Sequence, residues 1–286
     1  MPFKSVADIA AAYDNGRWHH QRVYRNTSQH ANAGLWADLS MSGGTPKYNA
    51  YIGNQLESTA LVGSGNNGIY AGPTPVAGMT KHIAKVEIGT MSTTVPVQHA
   101  ELRDLLMFYP LIDGDSTDLQ ELVQVDSLPR YQDGVGVRAT LVVTGGAGYN
   151  NAPATMTYTN SAGVSGRTTS FYAWYGSTTN VGVQLNSSLN SAMPFIPLAA
   201  GDTGIRSVES IQLASGTGLF FAMLLYKPLC NISMLESTTR AEVDFVNQRL
   251  SLPRVYDGAY LAFANMFTAS ASSTLPLHAG IDFIWG

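Results

Sequence analysis

The eight residues SLPRYQDG at Ser127–Gly134 return near the end of the chain as SLPRVYDG at Ser251–Gly258, with six of the eight positions identical. In both copies proline bars a continued helix, and the Asp-Gly pair supplies a residue that tolerates positive φ. Each copy therefore predicts a tight turn. Because eight residues are too few to establish a duplication, the neighbouring segments decide the interpretation.

Other landmarks repeat in the same order as this phrase. PVAGMTKHIAKVE at residues 75–87 is matched by PLAAGDTGIRSVE at 197–209, an offset of 122 that is close to the 124 of the phrase. Between them, Tyr109 and Tyr226 each follow an apolar run and precede Pro-Leu, and in both halves a glycine-rich loop leads into an aromatic segment. Four landmarks at nearly constant spacing predict an internal duplication with copies of about 120 residues.

The duplication and the local pattern together predict an all-β fold. Short runs rich in β-branched and aromatic residues alternate with clusters of Gly, Ser, Asn and Pro. We expect two tandem β-sandwich domains, with the jelly roll as one candidate topology. The predicted units are an N-terminal helix and docking arm at 1–30, a first β domain at 31–148 and a second, duplicate β domain at 149–286.

Two helices and one buried terminal strand are predicted in addition. Ser5 as N-cap and Asp8 as its partner predict a helix over 5–13, and STTRAEVDFVNQRL at 237–250 has a second helical pattern. The terminal GIDFIWG at 280–286 is expected to be buried, because an exposed apolar strand would be an adhesive edge.

Composition restricts the possible partners. Apolar residues make up 45% of the 286 residues, whereas charged residues make up 13%, about half of the usual share of roughly 25%. So little charge is typical of β-rich proteins whose surface is covered in an assembly. The formal net charge of −4 argues against nucleic acid, and no apolar run approaches the length of a membrane span. The lone Cys230 excludes an internal disulfide and is expected to pack as a small apolar side chain.

No pattern in the sequence predicts catalysis. The glycines of GSGNNG at 63–68 have the spacing of a dinucleotide-binding loop, but no helix start follows them. DGDSTD at 113–118 has carboxylates at calcium-loop spacing but no glutamate at the twelfth position, so an acidic turn is preferred. The adjacent His19 and His20 are poorly placed to chelate one metal. We therefore expect no enzyme activity, no cofactor and no metal.

The candidate functional residues lie in the two phrases and in the arm. In each phrase the arginine is expected to reach the nearby aspartate, either as a staple of the turn, which we favour, or as a contact with a neighbouring subunit. The phrase residues are Arg130, Asp133, Gly134, Arg254, Asp257 and Gly258. The basic and aromatic arm is expected either to stay exposed or to dock on an acidic or aromatic partner surface. Its residues are Arg17, Trp18, Arg22, Tyr24 and Arg25.

One aromatic strand has two possible uses. Alternation places Phe171, Ala173 and Tyr175 on one face and Tyr172 and Trp174 on the other. At least one face is expected to pack in the core. Exposed Tyr and Trp would either anchor a protein interface, where these residues are enriched, or stack on sugar rings. In the second case Trp174→Ala would abolish binding on a glycan array.

Several stretches that together span nearly the whole chain resemble one group of proteins. They are MPFKSVADIAAAYDNGRW, ADLSMSGGTPKYNAYIG, YPLIDGDSTD, both SLPR-x-x-DG phrases and the terminal DFIWG. In these stretches the chain resembles structural proteins of tailed-bacteriophage virions, most of all a head decoration or cement protein. The resemblance implies a place in the particle and transfers no catalytic residue.

The expected function is that of a non-enzymatic virion component, made in the host cytoplasm, that decorates and stabilises the capsid by binding the major capsid protein. A trimer is expected, because three copies of a duplicated chain present six similar modules around a threefold axis. Two alternatives stay open. One is a tail or head-to-tail component, which would form rings, and the other is a glycan-binding adhesion module.

Overall fold

The computed structural model is built almost entirely of strands. It describes residues 3–26, 34–64, 67–90, 98–146, 148, 151–173, 181–184, 187–188, 191–236, 239–248, 251–267 and 276–286. Within these residues the helical elements are α1 at Val6–Asp14 and a short 3-10 helix at Leu39–Met41. The all-β fold class is thereby confirmed.

The strands are numbered in chain order. The earlier strands are β1 Trp18–Asn26, β2 Trp36–Asp38, β3 Gly44–Thr45, β4 Thr59–Ala60, β5 Lys81–Thr90, β6 Gln98–Asp113, β7 Gln120–Glu121, β8 Arg138–Gly146 and β9 Ala152–Asn160. The later strands are β10 Arg167–Ala173, β11 Val183–Gln184, β12 Ser187–Ser188, β13 Ser191–Ala192, β14 Ile205–Leu213, β15 Leu219–Met234, β16 Ala241–Asp244, β17 Arg254–Val255, β18 Tyr260–Phe267 and β19 Pro276–Trp285.

A central barrel organises the molecule. Its strands pair in the order β15-β8-β11-β2-β18-β6, and β6 also pairs with β15, so the ring of six strands closes. The two 16-residue strands, β6 and β15, are antiparallel neighbours along their whole length. Closure leaves none of the six as a free edge, which removes a site of unwanted strand pairing.

Two outer sheets pack against the barrel. The first outer sheet has the order β16-β5-β19-β1-β3, with β17 also paired to β5, and the second has the order β7-β14-β9-β10-β12-β13. Each forms its own apolar core with the barrel, centred on Ile83 and Phe283 for the first sheet and on Met156 and Ile211 for the second. A third cluster, which includes Leu224, contains no residue of either outer sheet and joins barrel strands to Met41, Tyr51 and Leu61.

The strand order is unchanged when the two sequence copies are exchanged. The equivalent strands are β1 and β10, β2 and β11, β3 and β12, β5 and β14, β6 and β15, β7 and β16, β8 and β18, and β9 and β19. With these equivalences the order β16-β5-β19-β1-β3 becomes β7-β14-β9-β10-β12, and the ring of six barrel strands maps onto itself, whereas β4, β13 and β17 have no equivalent strand among the described residues. The molecule therefore has pseudo-twofold connectivity.

Each outer sheet combines strands from both copies. In the first outer sheet, β5 of the first copy pairs with β16 and β19 of the second, and in the second outer sheet β14 pairs with β7 and β9 of the first copy. In each copy, the outer-sheet strands that follow the long strand, β6 or β15, therefore join the outer sheet begun by the other copy. As bounds of independently folding units, 31–148 and 149–286 stay a prediction. The equivalence of the strands places the boundary between the two copies after β9.

A shared β-bulge supports the sequence alignment of the copies. The register of β5 against β19 skips Ala84, and the register of β14 against β9 skips Arg206. These two residues are 122 positions apart, which is the offset found for the segments that contain them. The match of Tyr109 with Tyr226 is wrong, however. Tyr226 of β15 pairs with Arg138 of β8, and Arg103 of β6 pairs with Ala262 of β18. Because Arg138 and Ala262 are equivalent positions, the residue equivalent to Tyr226 is Arg103.

The two helix predictions have opposite outcomes. The first helix is confirmed, since the Ser5 hydroxyl accepts a hydrogen bond from the Asp8 N–H and the Asp8 carboxylate accepts one from the Ser5 N–H. The second is wrong. Residues 241–244 of that segment form β16 on the edge of the first outer sheet, because pairing with β5 satisfies their backbone groups.

Burial of the chain end and of the lone thiol agrees with expectation. β19 lies between β5 and β1, and Ile281, Phe283 and Ile284 have no exposed surface. Cys230 is also buried, and burial raises the pKa of its thiol to about 12. At neutral pH the group is therefore an uncharged thiol that packs as an apolar side chain.

Candidate functional site

Both copies of the repeated phrase line one open cleft. The cleft has a volume of about 560 Å³, and its walls include residues 129–133 of the first phrase and 254–257 of the second. Lys81 of β5 adds a cation, and its Nζ donates a hydrogen bond to the Gly72 carbonyl at 3.1 Å. The phrase is thus repeated at two positions that the fold brings together.

The first arginine is a buried structural anchor. Arg130 Nε and Nη2 donate to the two Asp104 carboxylate oxygens at 2.9 and 2.7 Å, and Nη2 also donates to the carbonyls of Leu61 and Leu105. Both charged side chains are at most 4% exposed. Paired planar groups of this kind make strong charge-assisted hydrogen bonds. Arg130 therefore fixes the first phrase to strand β6.

The predicted pairs between arginine and aspartate within each phrase are wrong. Arg130 binds Asp104, and Asp133 Oδ1 instead accepts the Val135 N–H at 3.1 Å. Arg254 is exposed, and its guanidinium lies 4.3 Å from the centroid of the Tyr256 ring. The deep carboxylate of Asp104 is the better partner for the first arginine because burial excludes competing water.

Charges at the cleft influence one another. Burial lowers the pKa of Lys81, and the nearby Asp257 carboxylate opposes that shift. The Lys81 ammonium also lies 5.7 Å from the Trp285 ring centroid. These interactions hold the ammonium at the cleft wall.

Both glycines of the phrases have the turn conformation that the sequence predicts. Gly134 and Gly258 have φ values of 70° and 71°. A Cβ at Gly134 would lie 2.5 Å from the Ile205 carbonyl oxygen, so this position also requires close backbone approach. The two turns are therefore structural, and a subunit contact through them stays a prediction.

Tyr131 distinguishes the two copies. It adopts a φ of 52°, whereas the equivalent Val255 belongs to strand β17. Its ring packs edge-on against Tyr256 with centroids 4.9 Å apart, and the Lys227 ammonium lies 5.5 Å from its centre. The cleft consequently presents aromatic surface with charges of both signs, which suits contact with a polar protein surface.

The predicted free arm is wrong for the described residues. β1 pairs with β19 over its full length and with β3 at Tyr24 and Arg25, because its alternating side chains fit a sheet with one buried face. Arg25 is buried and donates to the carbonyls of Ser42 and Pro46 at 3.0 and 2.7 Å. Burial lowers the pKa of this guanidinium, an effect that Asp38 opposes.

The other arm residues remain near the surface. Trp18 and Tyr24 are partly exposed, with their rings against Tyr13 and His278 respectively. Arg22 is exposed on the outer face of the first outer sheet, and Arg17 is half-buried at the start of β1. Residues 27–30 of the predicted arm lie outside the described residues. Docking through Trp18, Arg22 and Tyr24 stays a prediction.

An exposed apolar patch lies at another part of the first copy. Three segments form it, and hydrogen bonds from Leu56 N–H to the Pro110 carbonyl and from Val123 N–H to the Leu56 carbonyl join them. The Gln120 side chain bonds both backbone groups of Asp113, which brings the neighbouring Leu119 to the same region. The exposed members of the apolar patch are Ile52, Leu111, Leu119, Val123 and Val125.

The described residues contain few features of a reaction centre. No three His, Cys, Asp or Glu side chains among them lie close enough to share a metal ion. Carboxylates of the 113–118 loop bind backbone groups, with Asp115 Oδ1 accepting the Gly218 N–H at 2.6 Å. None of the described helices is long and apolar enough to cross a membrane.

The aromatic strand β10 presents one face to the core. Phe171 and Ala173 are buried there, and Tyr172 on the opposite face is half-buried. Trp174 and Tyr175 lie outside the described residues. The glycan interpretation therefore stays a prediction that depends on Trp174.

Some residues of the site escaped the sequence interpretation. Asp104 stands in the run ELRDLLMFY, where charged residues interrupt an otherwise apolar strand. Such an interruption is itself a signal of a buried ion pair. Glu101 and Arg103 in the same run form a second pair, in which Arg103 Nε donates to Glu101 Oε1 at 2.5 Å and the guanidinium lies 4.0 Å from the Tyr226 ring centroid.

Comparisons with known proteins add little. The sequence matches no protein-family model and no protein with a curated description. A structure of infectious bursal disease virus Gt strain aligns over 94% of this chain and 80% of that chain, at 8% identity and a TM-score of 0.20. The crystal structure of the infectious bursal disease virus VP2 subviral particle aligns over 93% and 80%, at 7% identity and a TM-score of 0.17. TM-scores of this size do not establish a common fold.

Proposed function

We propose that this chain is a non-enzymatic structural protein of a virion, which decorates a phage capsid and stabilises it by packing on the major capsid protein. The apolar patch carries the proposal, because it is a surface suited to burial by another protein. The sequence resemblance to virion proteins of tailed phages supplies the kind of partner.

The patch is unusual for an isolated chain. Its five members are large apolar side chains, and Ile52 is 85% exposed. The segments that carry these side chains are joined by backbone hydrogen bonds, and a large exposed apolar patch is typical of an interaction site. Burying one such side chain against a partner would stabilise the complex by about 1.5–3 kcal/mol.

The proposed action is passive. Contact area between neighbouring subunits would resist pressure from inside the capsid, with no turnover and no cofactor. The low charged fraction of 13% fits a surface that is largely covered in the particle. A trimer is the proposed oligomer, since its six similar modules match the local symmetry of a capsid lattice.

Co-sedimentation with phage heads stripped of this protein tests the proposal. Purified protein should bind at a fixed ratio to the major capsid protein and saturate. Ile52→Asp should weaken binding by about tenfold or more, because it places a charge in a dehydrated contact. Val164→Asp is the matched control, since Val164 is 52% exposed in a turn outside the patch, and it should bind as the unaltered protein does.

Other outcomes distinguish the alternatives. Saturable binding by a species with three times the mass of the chain supports a cement role. Binding to tails or head-to-tail connectors as a ring would contradict decoration and support the tail alternative. Equal binding by both aspartate variants would remove the patch from the interface. Absence of binding to any part of the particle would contradict a virion role.

A further inference from the structure

A glycine occupies the centre of the first outer sheet. Gly280 in β19 pairs with Arg22 of β1 and with Glu87 of β5. At the equivalent place in the second outer sheet, Thr157 pairs with Thr168 and Ser210. Glycine inside a strand is less favourable than alanine because it loses more backbone freedom on folding. The other copy has threonine at this position, beside a register shift at Glu209 that β5 does not have at Glu87.

A pocket lies close to Gly280 on the outer face of the sheet. The pocket has a volume of about 210 Å³, and we name it the Gly280 pocket. Its polar walls are formed by His20, Arg22, Glu87, Arg240 and His278. A Cβ at Gly280 would lie 2.8 Å from Glu87 Oε1 and 2.9 Å from His20 Cε1. A larger residue at Gly280 would therefore displace the Glu87 and His20 side chains, which line the pocket.

The walls of the Gly280 pocket carry an excess of positive charge. Glu87 is already paired, with its Oε1 2.7 Å from Arg240 Nη1. Asp282, beside the pocket, is paired with His20, whose Nδ1 lies 2.6 Å from Asp282 Oδ1. The Arg22 guanidinium, by contrast, has no hydrogen-bond or ion-pair partner among the described residues.

The equivalent face of the second outer sheet has a different chemistry. Thr155 and Thr168 are exposed there, and Thr157 and Thr159 are half-exposed. Threonine is a good strand former. This face also carries the Glu209 carboxylate, whose Oε1 accepts a hydrogen bond from the Thr159 hydroxyl at 2.7 Å. Arg22 and Gly280 of the first outer sheet thus stand where the second outer sheet has Thr168 and Thr157.

We propose that the Gly280 pocket binds a carboxylate side chain from an acidic segment of the protein on which this chain packs. Arg22 supplies the free guanidinium, whose planar donors match a carboxylate, and the imidazoles of His20 and His278 line the same space. The local positive charge on a chain of net charge −4 selects and orients an acidic partner surface. The identity of the partner rests on the proposed function.

Binding of an acidic peptide to the full chain tests the pocket directly. Fluorescently labelled hexaglutamate is titrated with purified protein at low ionic strength, and anisotropy reports the Kd. Arg22→Gln and Gly280→Thr should each raise the Kd by about tenfold or more, the first by removing a charged donor and the second by displacing the Glu87 and His20 side chains of the pocket wall. Thr168→Gln makes the same new residue at the equivalent position of the second outer sheet and should leave the Kd unchanged.

The outcomes separate the pocket from the general function. Equal peptide affinity in Arg22→Gln and the unaltered chain, or no binding of hexaglutamate, would overturn the proposal. Binding of inorganic phosphate without binding of the peptide would also overturn it, because the site would then serve free anions. Head binding without peptide binding would remove the pocket and keep the capsid role. Peptide binding without head binding would keep the pocket and remove the capsid role.

Discussion

Replacing Arg130 by alanine is expected to lower the free energy of unfolding by about 3–5 kcal/mol. The change leaves the Asp104 carboxylate buried with only the Tyr260 N–H, at 3.0 Å, as a remaining donor among the described contacts. It also removes the donor from the Leu61 and Leu105 carbonyls. Breaking a buried ion pair from one side is costly because an uncompensated charge stays behind. Guanidinium denaturation followed by tryptophan fluorescence measures the loss.

The second phrase provides the matched control. Arg254 occupies the equivalent position but is exposed, with its guanidinium against Tyr256. Arg254→Ala should cost no more than about 1 kcal/mol, the range for an exposed cation beside an aromatic ring. Equal losses in the two variants would contradict the different roles that the structure assigns to the two arginines.

Deleting residues 281–286 is expected to yield insoluble protein. The deletion removes half of β19, which lies between β5 and β1, and so leaves two strands with unpaired backbone groups. It also removes Phe283, whose loss alone would cost about 3–5 kcal/mol as a core aromatic. Expression at low temperature, with the soluble and insoluble fractions compared, gives the result.

A point variant in the same strand controls for this deletion. Asp282→Asn alters the partly exposed face of β19 and keeps every backbone hydrogen bond, so this variant should stay soluble. A soluble truncated chain that unfolds cooperatively would contradict the central place of β19 in the first outer sheet.

Local signals in the sequence were sufficient for several elements. The capping box at Ser5 and Asp8 predicted α1 because both hydrogen bonds form within one turn of chain. Alternation and turn residues predicted the strands, and the repeated phrase predicted the duplication. Burial of the last strand followed from its continuous apolar composition. Except for the duplication, which was inferred from landmarks 122 and 124 residues apart, each of these features depends on residues close together in the sequence.

The exchange of strands between copies was not predictable in the same way. A strand such as β9 fits β14 or its equivalent β5 by pattern alone, since both neighbours offer one buried face. Which one it joins depends on the path of the connecting segments and on contacts formed across the barrel. The segment at 241–244 shows the same effect, because pairing with β5 overrides its helical pattern.

The candidate sites had a similar limit. The two phrases are nearly identical in sequence, yet one arginine is buried and the other exposed. The difference arises from Asp104, which the strand β6 places beside the first phrase only. The Gly280 pocket likewise becomes visible only when the register of β1, β19 and β5 is known.

Fragment complementation tests the exchanged fold most directly. The chain is divided between Gly163 and Val164, in the turn that joins β9 to β10. We expect residues 1–163 and 164–286 to be unfolded when expressed separately and to form a folded one-to-one complex when expressed together, because each outer sheet needs strands from both. Circular dichroism and the mass of the complex report the outcome. Cooperative unfolding of 164–286 alone would contradict the exchange and support two independent tandem domains.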